Sequence, residues 1–181
     1  KKRGITIFSG ESGFIAGDKE INLIDTPGHI DFSAETERIL DILDYSILVI
    51  SGTNGVQPHT RTLWKLLAHY EIPVFIFITK MDYSGYTEKE IMKSLQAELS
   101  DGCISFSDSS YSQRNDSIAL RDENILDSYI NTGIISDSSI AEAIRKRKIY
   151  PCSFGSGLKM TGIDNFIEML SRYTLPAEYH D

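Results

Sequence analysis

The feature that most constrains the fold is a unit that recurs along the chain. A short unbroken apolar run ends in a polar or glycine-rich tip, and helical periodicity follows. Ser46 to Ile50, Val74 to Ile78 and Ile149 to Phe154 are such runs. Each has the length and β-branched content of a strand, and an apolar run without alternation predicts burial on both faces. Pro58 opens a helix after the first run, with Leu63, Leu66 and Leu67 facing inward and Trp64 and His69 as packing and surface residues. Thr87 to Leu99 is helical after the second, and Gly162 leads into a helix with Ile163, Phe166, Ile167 and Leu170 at helical spacing. Strands alternating with helices predict an α/β layered fold with a largely parallel sheet.

Upstream, Phe14-Ile15 and Ile21-Leu23 flank the turn residues Ala16-Gly17-Asp18-Lys19, which predicts a β-hairpin over 11–25. A helix carrying Phe32, Ile39, Leu40 and Leu43 on one face is expected to run to about Asp44. Residues 101–148 differ in texture. They open rich in serine and aspartate, then offer two short helices, one ending near Gly133 and one capped by Ser136 or Asp137. This stretch reads as a helical insertion at the edge of the sheet, within a single domain spanning 1–181.

Composition excludes several functions. With 18 basic and 26 acidic residues the net charge is −8, so the surface should not grip nucleic acid broadly. The basic run Arg145-Lys146-Arg147-Lys148 ends a helical pattern, where cations complement the carbonyl end of the helix dipole. No apolar run reaches membrane-spanning length. Cys103 and Cys152 are far apart in sequence, lack metal-ligand spacing and read as reduced cytosolic thiols.

Three candidate motifs fall at the carboxyl ends of predicted strands, where open α/β sheets place their ligand crevice. In Asp25-Thr26-Pro27-Gly28-His29, an aspartate at a strand tip can hold a hydrated Mg²⁺, and the glycine lets a backbone N–H approach a phosphate. The same residues could instead be a helix cap and a turn. In Thr79-Lys80-Met81-Asp82, a carboxylate can accept from N1–H and the 2-amino group of guanine, a pair adenine does not supply. The Lys80 stem can lie across the base. A polar turn after a strand is the plainer reading. Gly155-Ser156-Gly157-Leu158 lets a backbone N–H reach the guanine carbonyl, though glycine after a strand also suits any turn.

In this order the motifs resemble those of translational GTPases, closest to elongation factor G and the tetracycline ribosomal-protection proteins. Arg3-Gly4-Ile5-Thr6-Ile7 resembles the end of the family's first switch and Asp25 to His29 its second. Thr79 to Asp82 resembles the base-specificity motif, and Ser156-Gly157-Leu158 the Ser-Ala-Lys/Leu/Phe element. Asp31-Phe32, Gly55-Val56-Gln57 with Thr60-Arg61, and Gly162-Ile163-Asp164-Asn165 agree. The resemblance covers residues 3–100 and 149–174 well.

The resemblance implies a three-layer P-loop GTPase-type fold and hydrolysis of GTP with Mg²⁺ in the cytoplasm. Thr6 would ligate Mg²⁺ and sense the γ-phosphate, and Asp25 would support the metal through water. Gly28 N–H would bond the γ-phosphate, and His29 would position the attacking water behind an apolar gate that includes Ile5. Thr79, Lys80, Asp82, Ser156, Gly157 and Leu158 would hold the nucleotide. The implied partners are the ribosome, at large-subunit RNA near the GTPase-activating site, and downstream domains of the parent protein, with no membrane.

Two departures stand out. Thr79 occupies a position that is asparagine in most of the family, which implies a tuned site. No G-x-x-x-x-G-K-[ST] occurs, so the first strand, phosphate loop and first helix are expected to be missing by N-terminal truncation. Four lost charge-assisted phosphate contacts would remove on the order of 6 kcal/mol, so weak GTP binding is expected of these residues. The gap in the sheet is expected to close by direct pairing of the flanking strands or by a strand-paired dimer. Two other readings compete. One is a ribosome-docking module without nucleotide hydrolysis. The other is a phosphoacceptor receiver built on Asp25 and Lys80, which lacks the acidic pair and leaves Thr26 to His29 unexplained.

Overall fold

The computed structural model describes residues 10–25, 39–107 and 111–176. Its spine is the strand Val74–Thr79 (β4), whose side chains alternate between two cores. Val74, Ile76 and Ile78 enter one, and Phe75 and Phe77 enter the other. The strand is apolar throughout because both of its faces are covered. β4 pairs in parallel with Ser46–Ser51 (β3) and with Tyr150–Phe154 (β6), and Cys103–Ser105 (β5) pairs in parallel with β6. The four-stranded sheet therefore has the order β3-β4-β6-β5.

Helices cover both faces. Pro58–His69 (α1) and Glu88–Glu98 (α2) pack on the first core through Leu67 and through Ile91, Met92 and Leu95. Tyr111–Ala119 (α3), Glu123–Thr132 (α4), Asp137–Arg145 (α5) and Ile163–Tyr173 (α6) build the second core with Ile118, Ile125, Ile140, Ile144, Phe166 and Leu170. The three-layer α/β class expected from the sequence is present. No helix of the described residues is long and apolar enough to cross a membrane.

Local chemistry sets the helix ends. The Thr87 hydroxyl accepts from Glu90 N–H while the Glu90 carboxylate accepts from Thr87 N–H, a capping box that opens α2. That hydrogen bonding holds the Glu90 carboxyl below its ordinary range. Asp122 caps α4 and Ser136 caps α5, and α4 ends on Gly133 in the left-handed region. Gly162 opens α6 at φ 77°, and a Cβ there would collide with the Phe154 carbonyl, so only glycine fits.

Gly10–Ala16 (β1) and Lys19–Asp25 (β2) form the expected antiparallel hairpin, turning at Gly17-Asp18. It stands as a separate two-stranded sheet. Its attachment is to α6, where Lys19 Nζ donates to the carbonyls of Ser171 and, at 2.6 Å, Thr174. These carbonyls at the helix end attract a cation. Direct pairing across the expected gap is thus not seen among the described residues, because β2 bonds only to β1. β3 departs from expectation in a related way. Among the described residues it is an edge strand with Val49 60% exposed, not a strand buried on both faces.

The segment 101–148 holds more order than two helices. It contains the edge strand β5 and three helices, and its isoleucines fill much of the second core. The expected helix from His29 to Asp44 lies mostly outside the described residues. Its end places Leu40 in the first core, with Leu43 packed against it. The basic run at the end of α5 is expected to be a solvated helix end, but Arg147 and Lys148 are tied to the protein. Arg147 donates to the Ile72 carbonyl and lies over Trp64 and Tyr150 at 5.7 and 5.4 Å, and Lys148 pairs with Asp122. Cys103 and Cys152, distant in sequence, are free thiols buried side by side on β5 and β6, and burial pushes the Cys152 thiol well up.

Candidate functional site at the tips of β4 and β6

Because β4 and β6 are parallel neighbours, the segments leaving their carboxyl ends emerge together. Three backbone hydrogen bonds lock these tips. Gly155 N–H donates to Ile78 O at 2.9 Å, Met81 N–H to Gly155 O at 3.1 Å, and Gly52 N–H, beyond β3, to Thr79 O at 2.8 Å. The approach is close enough that a Cβ on Gly155 would collide with the Thr161 carbonyl and come within 2.8 Å of Phe77 Cζ. Ser84 braces the loop beyond β4 by donating to Gly52 O at 2.9 Å.

The loop after β6 closes on itself. Ser156 and Thr161 exchange backbone hydrogen bonds of 3.0 and 3.2 Å, and the buried Ser156 hydroxyl accepts from Lys159 N–H at 3.3 Å. Gly157 leaves room beside β4, since a Cβ there would sit 4.0 Å from Thr79 Oγ1. Leu158 projects outward, 78% exposed. Lys80 is exposed at φ 61°, a left-handed conformation that non-glycine residues adopt at a cost of about 1 kcal/mol or more.

Asp82 is the chemically distinctive residue. Its side chain is only 6% exposed, and both carboxylate oxygens are buried without a hydrogen-bond partner. Natural structures rarely leave buried polar atoms unsatisfied, and a lone buried charge is costlier still. Among the described residues the cation paired with it is Lys159 Nζ, 4.0 Å from Oδ2 and beyond hydrogen-bonding distance. Two unpartnered acceptors on one carboxylate have the chemistry to receive a planar ligand that donates two parallel N–H groups.

Thr79, Lys80, Asp82, Ser156, Gly157 and Leu158 thus lie on two adjoining strand tips. Asp25 is the last residue of β2, exposed, on the separate hairpin sheet. Thr6, Gly28 and His29 lie outside the described residues. Sequence reasoning missed Lys159 and Gly52. Lys159 follows the Ser156-Gly157-Leu158 element directly, and its charge five residues beyond the end of β6 was the available signal. Two open concavities, of about 580 Å³ beside Glu71 and Arg147 and about 320 Å³ beside Met92 and Gln96, lie elsewhere and do not include Asp82. Among the described residues no cluster of three His, Cys, Asp or Glu could hold a metal.

An open parallel sheet with helices on both faces defines an α/β domain class that places its ligand crevice at the carboxyl ends of the strands. Within that class, the chain belongs to the elongation factor Tu GTP-binding domain family, whose family model matches residues 1–176. It is 30% identical over 202 aligned residues to an oxytetracycline resistance protein of Streptomyces rimosus, covering 98% of this chain and 30% of that protein. It is 29% identical to elongation factor G of Ureaplasma urealyticum serovar 10, covering 93% of this chain and 31% of the relative. A crystal structure of a Thermus thermophilus protein superposes with a TM-score of 0.77 at 18% identity, over 93% of this chain and 32% of that one, a likeness of fold. The chain spans about a third of the length of these relatives.

Proposed function

We propose that this chain is the guanine-nucleotide-binding part of a ribosome-associated, cytoplasmic translational GTPase, of the ribosomal-protection or elongation factor G type, that hydrolyses GTP to GDP and phosphate. The observation that carries the reading is the Asp82 carboxylate, buried with two unused acceptors near Lys159 of the loop that follows β6. Guanine presents N1–H and a 2-amino group at the spacing of those oxygens. Gly157 N–H would meet its carbonyl, and the Lys80 stem and Thr79 would flank the base and ribose. Adenine would leave the carboxylate unpaired, a penalty that can reach about 10⁴-fold.

The phosphate end rests on the family resemblance. Gly28 N–H would bond the γ-phosphate and His29 would orient the attacking water. For phosphoryl transfer such positioning matters more than covalent chemistry from the protein. Asp25 fits a Mg²⁺ role, since an exposed carboxylate at a strand tip can hold a hydrated hard cation. Thr6 would join it, and the ion would neutralise charge on the phosphate oxygens. These residues contain no phosphate-cradling loop of the G-x-x-x-x-G-K-[ST] kind, so nucleotide affinity from them alone should be weak. The open β3 edge suits pairing with a further strand, from elsewhere in the parent protein or from a second copy. Residues 101–148 read as a helical insertion within the single nucleotide-binding domain.

Asp82→Asn provides the test. Asparagine offers one acceptor for N1–H and one donor. That donor suits the 2-carbonyl of xanthine and repels the 2-amino group of guanine. In the natural protein that carries this chain, ribosome-stimulated hydrolysis should shift from GTP toward xanthosine triphosphate. Retained GTP preference would remove Asp82 from base recognition.

A further inference from the structure

Lys159 is unexplained by the roles above. It lies on the short loop closed by the Ser156–Thr161 bonds, and its own N–H is fixed to Ser156 Oγ. Its side chain is 61% exposed, and its ammonium group stands 4.0 Å from Asp82 Oδ2. The Asp82 side chain is 6% exposed, and both of its oxygens are buried. The lysine is too distant to satisfy either oxygen, yet it is the only charge of opposite sign paired with that carboxylate among the described residues.

We propose that Lys159 is a displaceable counter-ion that tunes the affinity of the guanine site, an inference that rests on the base-binding reading of Asp82. Without nucleotide, the ammonium balances the buried carboxylate from 4.0 Å away. A base that donates to both oxygens must enter where the ammonium stands, so Lys159 swings into solvent on binding. The exposed four-carbon stem permits this motion, and the fixed loop backbone returns the charge when the base leaves. The device opposes binding and hastens release, with no effect on which base is chosen.

The test is a double-mutant cycle in the natural protein that carries this chain, with GDP as the probe. Lys159→Met should tighten GDP binding roughly two- to five-fold, the range for a partly exposed pair, and the gain should shrink as salt is added. In the Asp82→Asn background, probed with xanthosine diphosphate because that variant disfavours guanine, the same change should have no effect on affinity. That separates action through Asp82 from attraction of the lysine to phosphates. Weaker or unchanged GDP binding by Lys159→Met would overturn the proposal while leaving the base site intact. GDP failing to bind either protein would overturn the base-binding reading and the inference with it. A readout independent of nucleotide is the NMR mobility of the Lys159 ε-methylene in the empty protein. Asp82→Asn should free it, and unchanged mobility would also refute the pairing.

Discussion

Replacing Asp82 by leucine, its closest apolar isostere in shape, should make the empty protein more stable. The wild-type side chain buries two oxygens without hydrogen bonds. An unsatisfied buried polar group costs about 1–3 kcal/mol, with charged groups at the upper end. The partly exposed Lys159 at 4.0 Å returns at most about 1 kcal/mol. The net expected gain for Asp82→Leu is therefore about 1–2 kcal/mol. For a chain of this length that corresponds to about 2–8 °C in Tm. Urea denaturation followed by circular dichroism, without nucleotide, reads it as a higher midpoint at unchanged slope. The same variant should lose guanine nucleotide binding, a trade of stability for function expected at a binding site. A wild-type midpoint equal to or above that of Asp82→Leu would refute the reasoning, because the carboxylate would then be satisfied by the folded protein itself.

Other consequences follow from the same packing. Gly162→Ala should lose on the order of 2–4 kcal/mol by denaturation, since φ is 77° and the added methyl meets the Phe154 carbonyl. Asp122→Ala should cost about 1–2 kcal/mol, because it removes the cap of α4. The Lys148 pair, followed by the cap bonds, holds the Asp122 carboxyl below its ordinary range. Its stabilisation is therefore present above the ordinary carboxylate range and lost as pH falls through the lowered folded value, so wild type and variant should converge in acid. Cys103 and Cys152 should resist thiol reagents in the native protein at neutral pH and label only on unfolding, as burial disfavours the Cys152 thiolate.

Much of this architecture was legible because its causes are local. Val74 to Ile78 reads as a doubly buried strand from its unbroken apolar run, and Thr87 with Glu90 marks the start of α2 by side-chain chemistry alone. Gly17-Asp18 and Gly133 mark the turn and the helix end because they supply left-handed or turn conformations. What stayed hidden depends on strand order, which periodicity does not encode. Ser46 to Ile50 has the apolar content of a central strand, yet lies at a sheet edge with Val49 exposed. Cys103-Ile104-Ser105 is too short to register as a strand and acquires that role by pairing with β6. The adjacency of Cys103 and Cys152, and of Lys159 and Asp82, likewise arises from tertiary pairing. At the site, residue types announced a carboxylate at a strand tip, but only packing revealed that both of its oxygens lack partners.

The central claim is that Asp82 and the Ser156–Gly157 loop form a guanine-reading rim. Its most direct test is an amide-resolved NMR titration of this chain with GTP and, in parallel, with ATP. The account predicts that GTP shifts the amides of Met81, Asp82, Ser156 and Gly157 while ATP leaves them in place. Equal responses to the two nucleotides, or GTP shifts confined to the concavities beside Arg147 and Gln96, would contradict it.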